Sequence, residues 1–447
     1  MPPYGRITLI LIIFLLAACR PAPPEAAPTI LPPPALTTAV PPYPAPATPL
    51  YLDGQDKLPP GPYPAPATPL PATPPLPLPP ASPPGYPAAQ PPDYSTNYLP
   101  YVGSGSGETA LLPVAPPAVF TPVPSPTPLP VIDFTAARQQ LRANGQDLAF
   151  VKMGFHTSVG GNQAGLDDWM QQLDAAGVPF FLKSVDNAEP LYAAQQLIQA
   201  GGVPHTLVYR RSGGDYDVPN YDLPPAQAAQ IHWQKHKAAF PPELDPNLVW
   251  IETMNEVDKN RSEWLAEFAL ETAKLTLADG YRWAAFGWAS GEPEPEAWRS
   301  PAMLAFLRLA AANPDRLAIA LHEYSYTVAD ARDMYPYKIG RFQQLFQAAD
   351  ENGIPRPTVL ITEWGWTYQN APPVAQAMAD LAWAAELYAP FPQVKGAAVW
   401  HLGCCFAGVA DQTQKLIAPL AAYSVTTYFA VPLPPAQQAI DEIFLRP

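Results

Sequence analysis

The sequence predicts an α/β fold, a (β/α)8 (TIM) barrel over residues 131–447, preceded by a disordered proline-rich linker. Three observations carry that reading. Proline makes up about 15% of the chain, roughly three times ordinary usage, and 40 of the 65 fall within residues 1–130, a density that no packed domain sustains. All 11 tryptophans lie beyond residue 131, so the capacity to bury a core sits there. The remaining chain alternates eight strand-like apolar runs with amphipathic stretches, over a length that suits a barrel.

Residues 1–19 read as an export signal. Arg6 precedes an apolar run from Ile7 to Leu16, followed by Ala17-Ala18-Cys19. About ten apolar residues are too few to span a bilayer core, which needs about 20, but suit a signal peptide. Leu16-Ala17-Ala18-Cys19 resembles the lipobox of bacterial lipoproteins, in which the cysteine is lipidated; the alternative is an ordinary cleaved signal. Residues 20–130 form a tether. The nonapeptide Pro42–Leu50 (PYPAPATPL) recurs as Pro62–Leu70. Such runs favour extended polyproline II, at about 3.1 Å per residue. Gly103-Ser104-Gly105-Ser106-Gly107 adds a joint. A spacer holding a domain off the membrane is the expectation, with a proline-rich recognition ligand as the alternative.

In the remainder, the expected strands are Ala149–His156, Pro179–Val185, His205–Tyr209, Val249–Thr253, Trp283–Phe286, Leu317–Tyr324, Val359–Glu363 and Gly396–Trp400. Amphipathic helical stretches cover Gly165–Ala176, Leu191–Ala200, Pro225–Phe240, Arg261–Asp279, Pro301–Ala312, Lys338–Asn352 and Val374–Leu387. Gly177, Gly201, Gly280 and Gly353 stand where helices should end. A doubly wound open sheet would carry a glycine-rich phosphate loop after its first strand, and Gly160-Gly161-Asn162-Gln163-Ala164-Gly165 does not match one.

Chemistry in such barrels collects at the C-terminal ends of the strands. Those ends carry His156, then Lys183 and Asp186, then Tyr209 and Arg210, Asn255-Glu256, His322-Glu323-Tyr324, Thr362-Glu363-Trp364-Gly365-Trp366 and Trp400-His401. Two glutamates with aromatic and polar neighbours at one mouth suit glycosidic-bond cleavage. One acid protonates the leaving oxygen while a carboxylate engages the anomeric carbon. The net charge is −14, and an acidic domain without a basic stripe argues against nucleic acid as partner.

Trp250-Ile251-Glu252-Thr253-Met254-Asn255-Glu256 resembles the fourth-strand Asn-Glu signature of clan A glycoside hydrolases, the retaining (β/α)8 glycosidases. Val359–Trp364 is similar to their seventh-strand nucleophile segment. His322-Glu323-Tyr324 resembles the sixth-strand pair beside the nucleophile, and Trp400 the eighth-strand sugar platform. The resemblance spans roughly residues 145–430 and implies Glu256 as general acid/base and Glu363 as nucleophile. It further implies Asn255 on the sugar 2-hydroxyl, Tyr324 bonded to Glu363, and Trp400 stacked under the ring. Two departures stand out: Val257-Asp258 follows the pair where many members have proline, and the second strand offers Lys183 where several families place an arginine.

Substrate-binding candidates are therefore Asn255, His322, Tyr324, Trp400, Trp364, His156 and Lys183, with His156 and His401 open between sugar contact and structural rim histidines. Glu252 needs a buried cation, for which Lys152 and Lys183 compete. His232 and His236 have zinc-compatible spacing, but Trp233 stands where a catalytic glutamate would be, so a solvated helix face is expected and no metal or cofactor. Cys404 and Cys405 are adjacent in the loop after the eighth strand; an exported location favours a vicinal disulfide over two free thiols. The expectation is a monomeric, extracytoplasmic lipoprotein, anchored to the membrane through Cys19 and cleaving a poly- or oligosaccharide. A non-catalytic carbohydrate-binding barrel is the alternative, and a structural surface protein the third possibility.

Overall fold

The computed structural model describes residues 132–406, 408–433 and 438–445. The expected signal segment 1–19 with Cys19, and the expected tether 20–130, lie outside the described residues. The chain enters through α1 (Phe134–Ala143), capped by the Asp133 carboxylate, which accepts from the backbone of Thr135 and Ala136. Strand β1 (Gln146–Phe150) follows. The barrel strands are β2 (Met153–Ser158), β3 (Phe181–Val185), β4 (Thr206–Arg210), β5 (Val249–Glu252), β6 (Arg282–Trp288), β7 (Leu317–Tyr324), β8 (Thr358–Gly365) and β9 (Val394–Val399). They pair in parallel in chain order, and β2 closes the barrel on β9 with Met153 opposite Ala397. Helices α2 (Leu166–Ala175), α3 (Glu189–Gly201), α4 (Pro225–Ala239), α5 (Ser262–Ala278), α6 (Pro301–Ala312), α7 (Phe342–Glu351) and α8 (Val374–Tyr388) connect successive strands. After β9 come α9 (Val409–Gln414), α10 (Ile417–Thr426), β10 (Tyr428–Pro432) and the short α11 (Glu442–Leu445). The (β/α)8 class expected from the sequence is the observed one.

Three local expectations change. The run Ala149–His156 is not one strand. Its first residues belong to β1, which pairs antiparallel with β10 in a separate two-stranded sheet, and only its last belong to β2. Lys152 stands at the break, but one charged residue within an apolar run does not by itself mark a change of partner. Gly202 (φ 71), one residue beyond the expected Gly201, is the left-handed cap of α3. His232 and His236 are buried rather than solvated, because α4 turns Ala228, Ala229, Trp233 and both histidines inward. Their Nε2 atoms face the Thr253 carbonyl at 2.7 Å and the Tyr216 carbonyl at 3.1 Å. Burial pushes their pKa values down, to about 4 for His232 and about 2 for His236.

The strand period of two builds the barrel interior in layers. Phe181, Val208, Trp250, Ala284, Ala318, Ala320, Leu360 and Ala398 form a buried apolar plug. Large rings from β3 and β5 are matched by alanines on β6, β7 and β9, which leaves room for them. Two residues further along β3, β4 and β5 the same face presents Lys183, Arg210 and Glu252. Hydrophobic plug and charged floor are thus consecutive layers of the same strands.

Candidate active site

Fully buried Lys183 on β3 lies at the centre of that floor. Its Nζ is 2.6 Å from Glu252 Oε2 and 3.1 Å from Glu363 Oε1. It is therefore the cation that Glu252 needs; Lys152 instead donates to the carbonyls of Phe391 (2.7 Å) and Tyr388 (3.0 Å). Burial would raise the Glu252 pKa, but Lys183 above all holds it at about 2. Thr362 Oγ1 donates to the other Glu252 oxygen at 2.7 Å.

A register irregularity puts Glu363 in the same chamber. Leu321 pairs with Ile361 but His322 with Glu363, so Thr362 is an extra residue on β8. A regular strand sends neighbours to opposite faces; this bulge lets both Thr362 and Glu363 reach inward. Trp364 then turns outward and is wholly buried against Trp366 in the layer between barrel and helices, ring centroids 5.2 Å apart. Trp364 is thereby a core residue and not the substrate contact expected of it, because the strand alternates immediately after the bulge.

Glu256 lies just past β5 in left-handed backbone, φ 45, uncommon for a non-glycine residue. Its N–H donates to the Gly287 carbonyl and that of Asn255 to the Asp217 carbonyl, both at 2.7 Å. Gly287 is glycine for a reason: a Cβ there would stand 2.8 Å from the Met254 carbonyl oxygen. His322 links the two acids, with Nδ1 3.4 Å from Glu256 Oε1 and 3.6 Å from Glu363 Oε2. Burial alone would lower the His322 pKa, but Glu363 and the other two glutamates raise it above the usual value.

Burial likewise opposes the charge on Glu363, yet His322, Lys183, Arg210 and His156 hold its pKa well below the usual carboxylate range. Tyr324 Oη donates to Glu363 Oε2 at 2.6 Å. Glu256 differs: its side chain is 28% exposed against 9% for Glu363. Arg210, to which the sequence assigned no role, is buried with Nη1 3.6 Å from Glu363 and donates to the Asn255 side-chain oxygen. Its signal was an arginine closing an apolar strand.

His156 and His401 face each other at 5.6 Å, and His156 Nε2 is 3.6 Å from Glu363 Oε1. Both are buried, and neither ring has a hydrogen-bonded nitrogen among the described residues. Burial keeps His401 neutral, with a pKa of about 4, and His156 well below its usual value. Trp400 stacks on His401 at 4.1 Å, across a cis peptide bond, and meets Tyr324 edge-on at 6.1 Å. The structure therefore gathers Asn255, Glu256, His322, Tyr324, His156, Lys183 and Trp400 about Glu363 at the C-terminal ends of the strands. Lys183 and His322 are buried beneath the carboxylates, so they act on those groups rather than on a ligand. Among the described residues no His, Cys, Asp and Glu group is arranged to hold a metal.

A profile of the cellulase family (glycosyl hydrolase family 5) matches residues 215–393. That segment contains Asn255, the carboxylate pair Glu256 and Glu363, and the His322 and Tyr324 side chains that meet the pair. The barrel is that of a glycoside hydrolase. Among solved structures, this glycosidase is similar to a glycoside hydrolase family 5 enzyme from Prevotella bryantii B14, at 13% identity over 59% of this chain and 95% of that one, TM-score 0.36. It is also similar to an endo-beta-1,4-glucanase from Xanthomonas axonopodis pv. citri, at 14% identity over 62% and 99%, TM-score 0.34. A family 5 xyloglucanase from Paenibacillus pabuli matches at 13% identity over 61% and 99%, TM-score 0.36. Likenesses of this size carry no argument about the glycosidase's substrate. No curated protein matches the chain.

Proposed function

We propose that the barrel is a retaining glycosidase in which Glu363 is the nucleophile and Glu256 the general acid/base. The observation that carries this reading is the single nitrogen of His322 within 3.4 Å of one carboxylate and 3.6 Å of the other. The two oxygens are separated by no more than the sum of those distances. That ceiling of about 7 Å admits the separation of about 5–5.5 Å that retaining enzymes hold and overlaps only the lowest part of the inverting range of about 6.5–9.5 Å, so the first-formed anomer decides between them. The electrostatics support the division of labour. Glu363, held ionised by four cationic or imidazole neighbours, attacks the anomeric carbon, while Glu256 at the more open side gives its proton to the leaving oxygen. Once Glu363 is glycosylated its charge is gone, and Glu256 takes a proton from water, which hydrolyses the intermediate and frees Glu363. Trp400 stacks under the sugar, Asn255, oriented by Arg210, bonds the 2-hydroxyl, and the unpartnered nitrogens of His156 and His401 meet ring hydroxyls.

The substrate is an extracellular poly- or oligosaccharide, and the name of the matching family makes β-1,4-glucan the first to try. The enzyme works outside the cytoplasm as a monomer, on a membrane anchor at Cys19 and a tether of residues 20–130. The test is a panel of β-glucans, mannans, xylans and galactans, with NMR of the first-formed anomer. Glu363→Gln is expected to lower kcat at least about 10³-fold, about 4 kcal/mol of barrel-imposed barrier lowering, while binding persists. First-formed product of inverted configuration refutes the mechanism; retention in polysaccharide gels without turnover by the wild type favours a carbohydrate-binding protein. Mass spectrometry of the membrane-extracted chain, with and without Cys19→Ala, tests the anchor.

A further inference from the structure

Cys404 and Cys405 are joined by a disulfide in the loop that follows β9. This loop is pressed against the one that follows β2. Leu402 N–H donates to the His156 carbonyl, Asn162 N–H to the Leu402 carbonyl and Cys404 N–H to the Val159 carbonyl, at 2.9, 2.9 and 3.1 Å. No side chain fits between them: a Cβ on Gly403 would stand 1.8 Å from Ser158 Oγ, and one on Gly161 2.1 Å from the Leu402 carbonyl oxygen. The loop is thus fixed up to Cys404. Beyond it, exposed Cys405 has left-handed backbone, φ 82, which a non-glycine residue seldom adopts unless something holds it. The next residue is Phe406, whose ring meets Trp400 at 4.7 Å and His401 at 5.0 Å, edge to face in both cases. Trp400 in turn meets Tyr324, the donor to Glu363.

We propose that the Cys404–Cys405 disulfide is a positioning element for the sugar platform: the two-residue ring aims the chain so that Phe406 braces Trp400 and His401. This rests on the reading of Trp400 as a substrate contact, and it makes that platform sensitive to reductant. The ring ties Cys404, anchored by two loops, to Cys405, whose backbone direction decides where Phe406 points. With the bond opened, Cys405 is free to return to ordinary right-handed backbone, which carries Phe406 away and leaves the side of the Trp400–His401 stack unsupported. The exposed Cys405 gives a thiol reagent access. An oxidising location keeps the bond closed.

The test uses the full chain, oxidised or treated with dithiothreitol and then alkylated with iodoacetamide. In the reduction the S–S bond breaks, each sulfur takes one electron and one proton, and the reagent closes into its own cyclic disulfide. Hydroxyl-radical footprinting read by mass spectrometry is expected to show labelling of Trp400 rising after reduction, a readout that needs no turnover. With cellohexaose, KM is expected to rise about fivefold while kcat stays within about twofold, the size of one lost aromatic contact in uniform binding. Phe406→Ala, with the disulfide intact, is expected to give the same KM and no further response to reductant. Alkylation of both cysteines before reduction overturns the proposal, as does unchanged Trp400 labelling, or a response of Phe406→Ala to reductant equal to that of wild type. If the oxidised chain does not cleave cellohexaose, the footprint decides this proposal alone, and the glycosidase reading is judged on the wider panel.

Discussion

Replacing Lys183 by methionine removes one charge from beneath the cleft while roughly keeping side-chain length. Nζ is 2.6 Å from Glu252 and 3.1 Å from Glu363, with no part of the side chain exposed. At an effective dielectric of 20, unit charges 3.1 Å apart attract by about 5 kcal/mol. The desolvation of the lysine disappears with it, and deleting one partner of a buried pair costs about 3–5 kcal/mol overall. In the variant Glu252 retains the Thr362 hydroxyl, His322 at 3.9 Å and the nearby charge of Arg210. Its pKa then rises from about 2, since Lys183 is the largest influence opposing its burial. Glu363 keeps Arg210 and His322 but loses one of the charges that hold its pKa down. A domain of this size loses about 2 °C of Tm per kcal/mol, so calorimetry at neutral pH is expected to show a fall of about 6–10 °C. A carboxylate whose folded pKa rises needs a higher pH to ionise. The acidic limb of kcat/KM should therefore move to higher pH. Lys183→Arg, which retains the charge, should recover part of both. A stability loss under about 1 kcal/mol together with an unmoved acidic limb refutes the assignment of Lys183 as the counter-ion shared by the two glutamates.

Two further outcomes follow from the same geometry. Tyr324→Phe deletes the donor 2.6 Å from Glu363; a hydrogen bond to a charged group is worth about 1.5–3 kcal/mol, so kcat should fall about 10- to 100-fold, and wild-type kcat would contradict a role for that hydroxyl. Four buried histidines, His156, His232, His236 and His401, all have folded pKa values depressed chiefly by burial. Their unfolded forms bind protons first, so the stability they contribute is fully present above about pH 6.5 and declines below it, by up to about 1.4 kcal/mol per pH unit for each. Urea midpoints at pH 7, 6 and 5 should fall in that order; a flat series would mean that these rings are not buried neutral.

Much of the site was legible in one dimension, and the reasons are local. Alternation of strand and helix patterns fixes a parallel barrel, because a parallel crossover demands a helix of that length. Polar residues ending apolar strands gather at the barrel mouth, which is why Asn255, Glu256, His322, Tyr324 and Glu363 could be named, although Glu323 on the same strand turns outward and accepts from the Tyr388 hydroxyl. Periodicity reports a side chain's face but not its neighbour across the barrel. Barrel closure alone decided that Lys183, and not Lys152, meets Glu252, and that Arg210 reaches Asn255 and Glu363. The bulge at Thr362 put Glu363 inward and Trp364 outward, a choice made by register between β7 and β8 and invisible in either strand. The burial of His232 and His236 likewise came from what α4 packs against. Contacts distant in sequence answer to the closed shape of the whole sheet, and only the folded chain contains that shape.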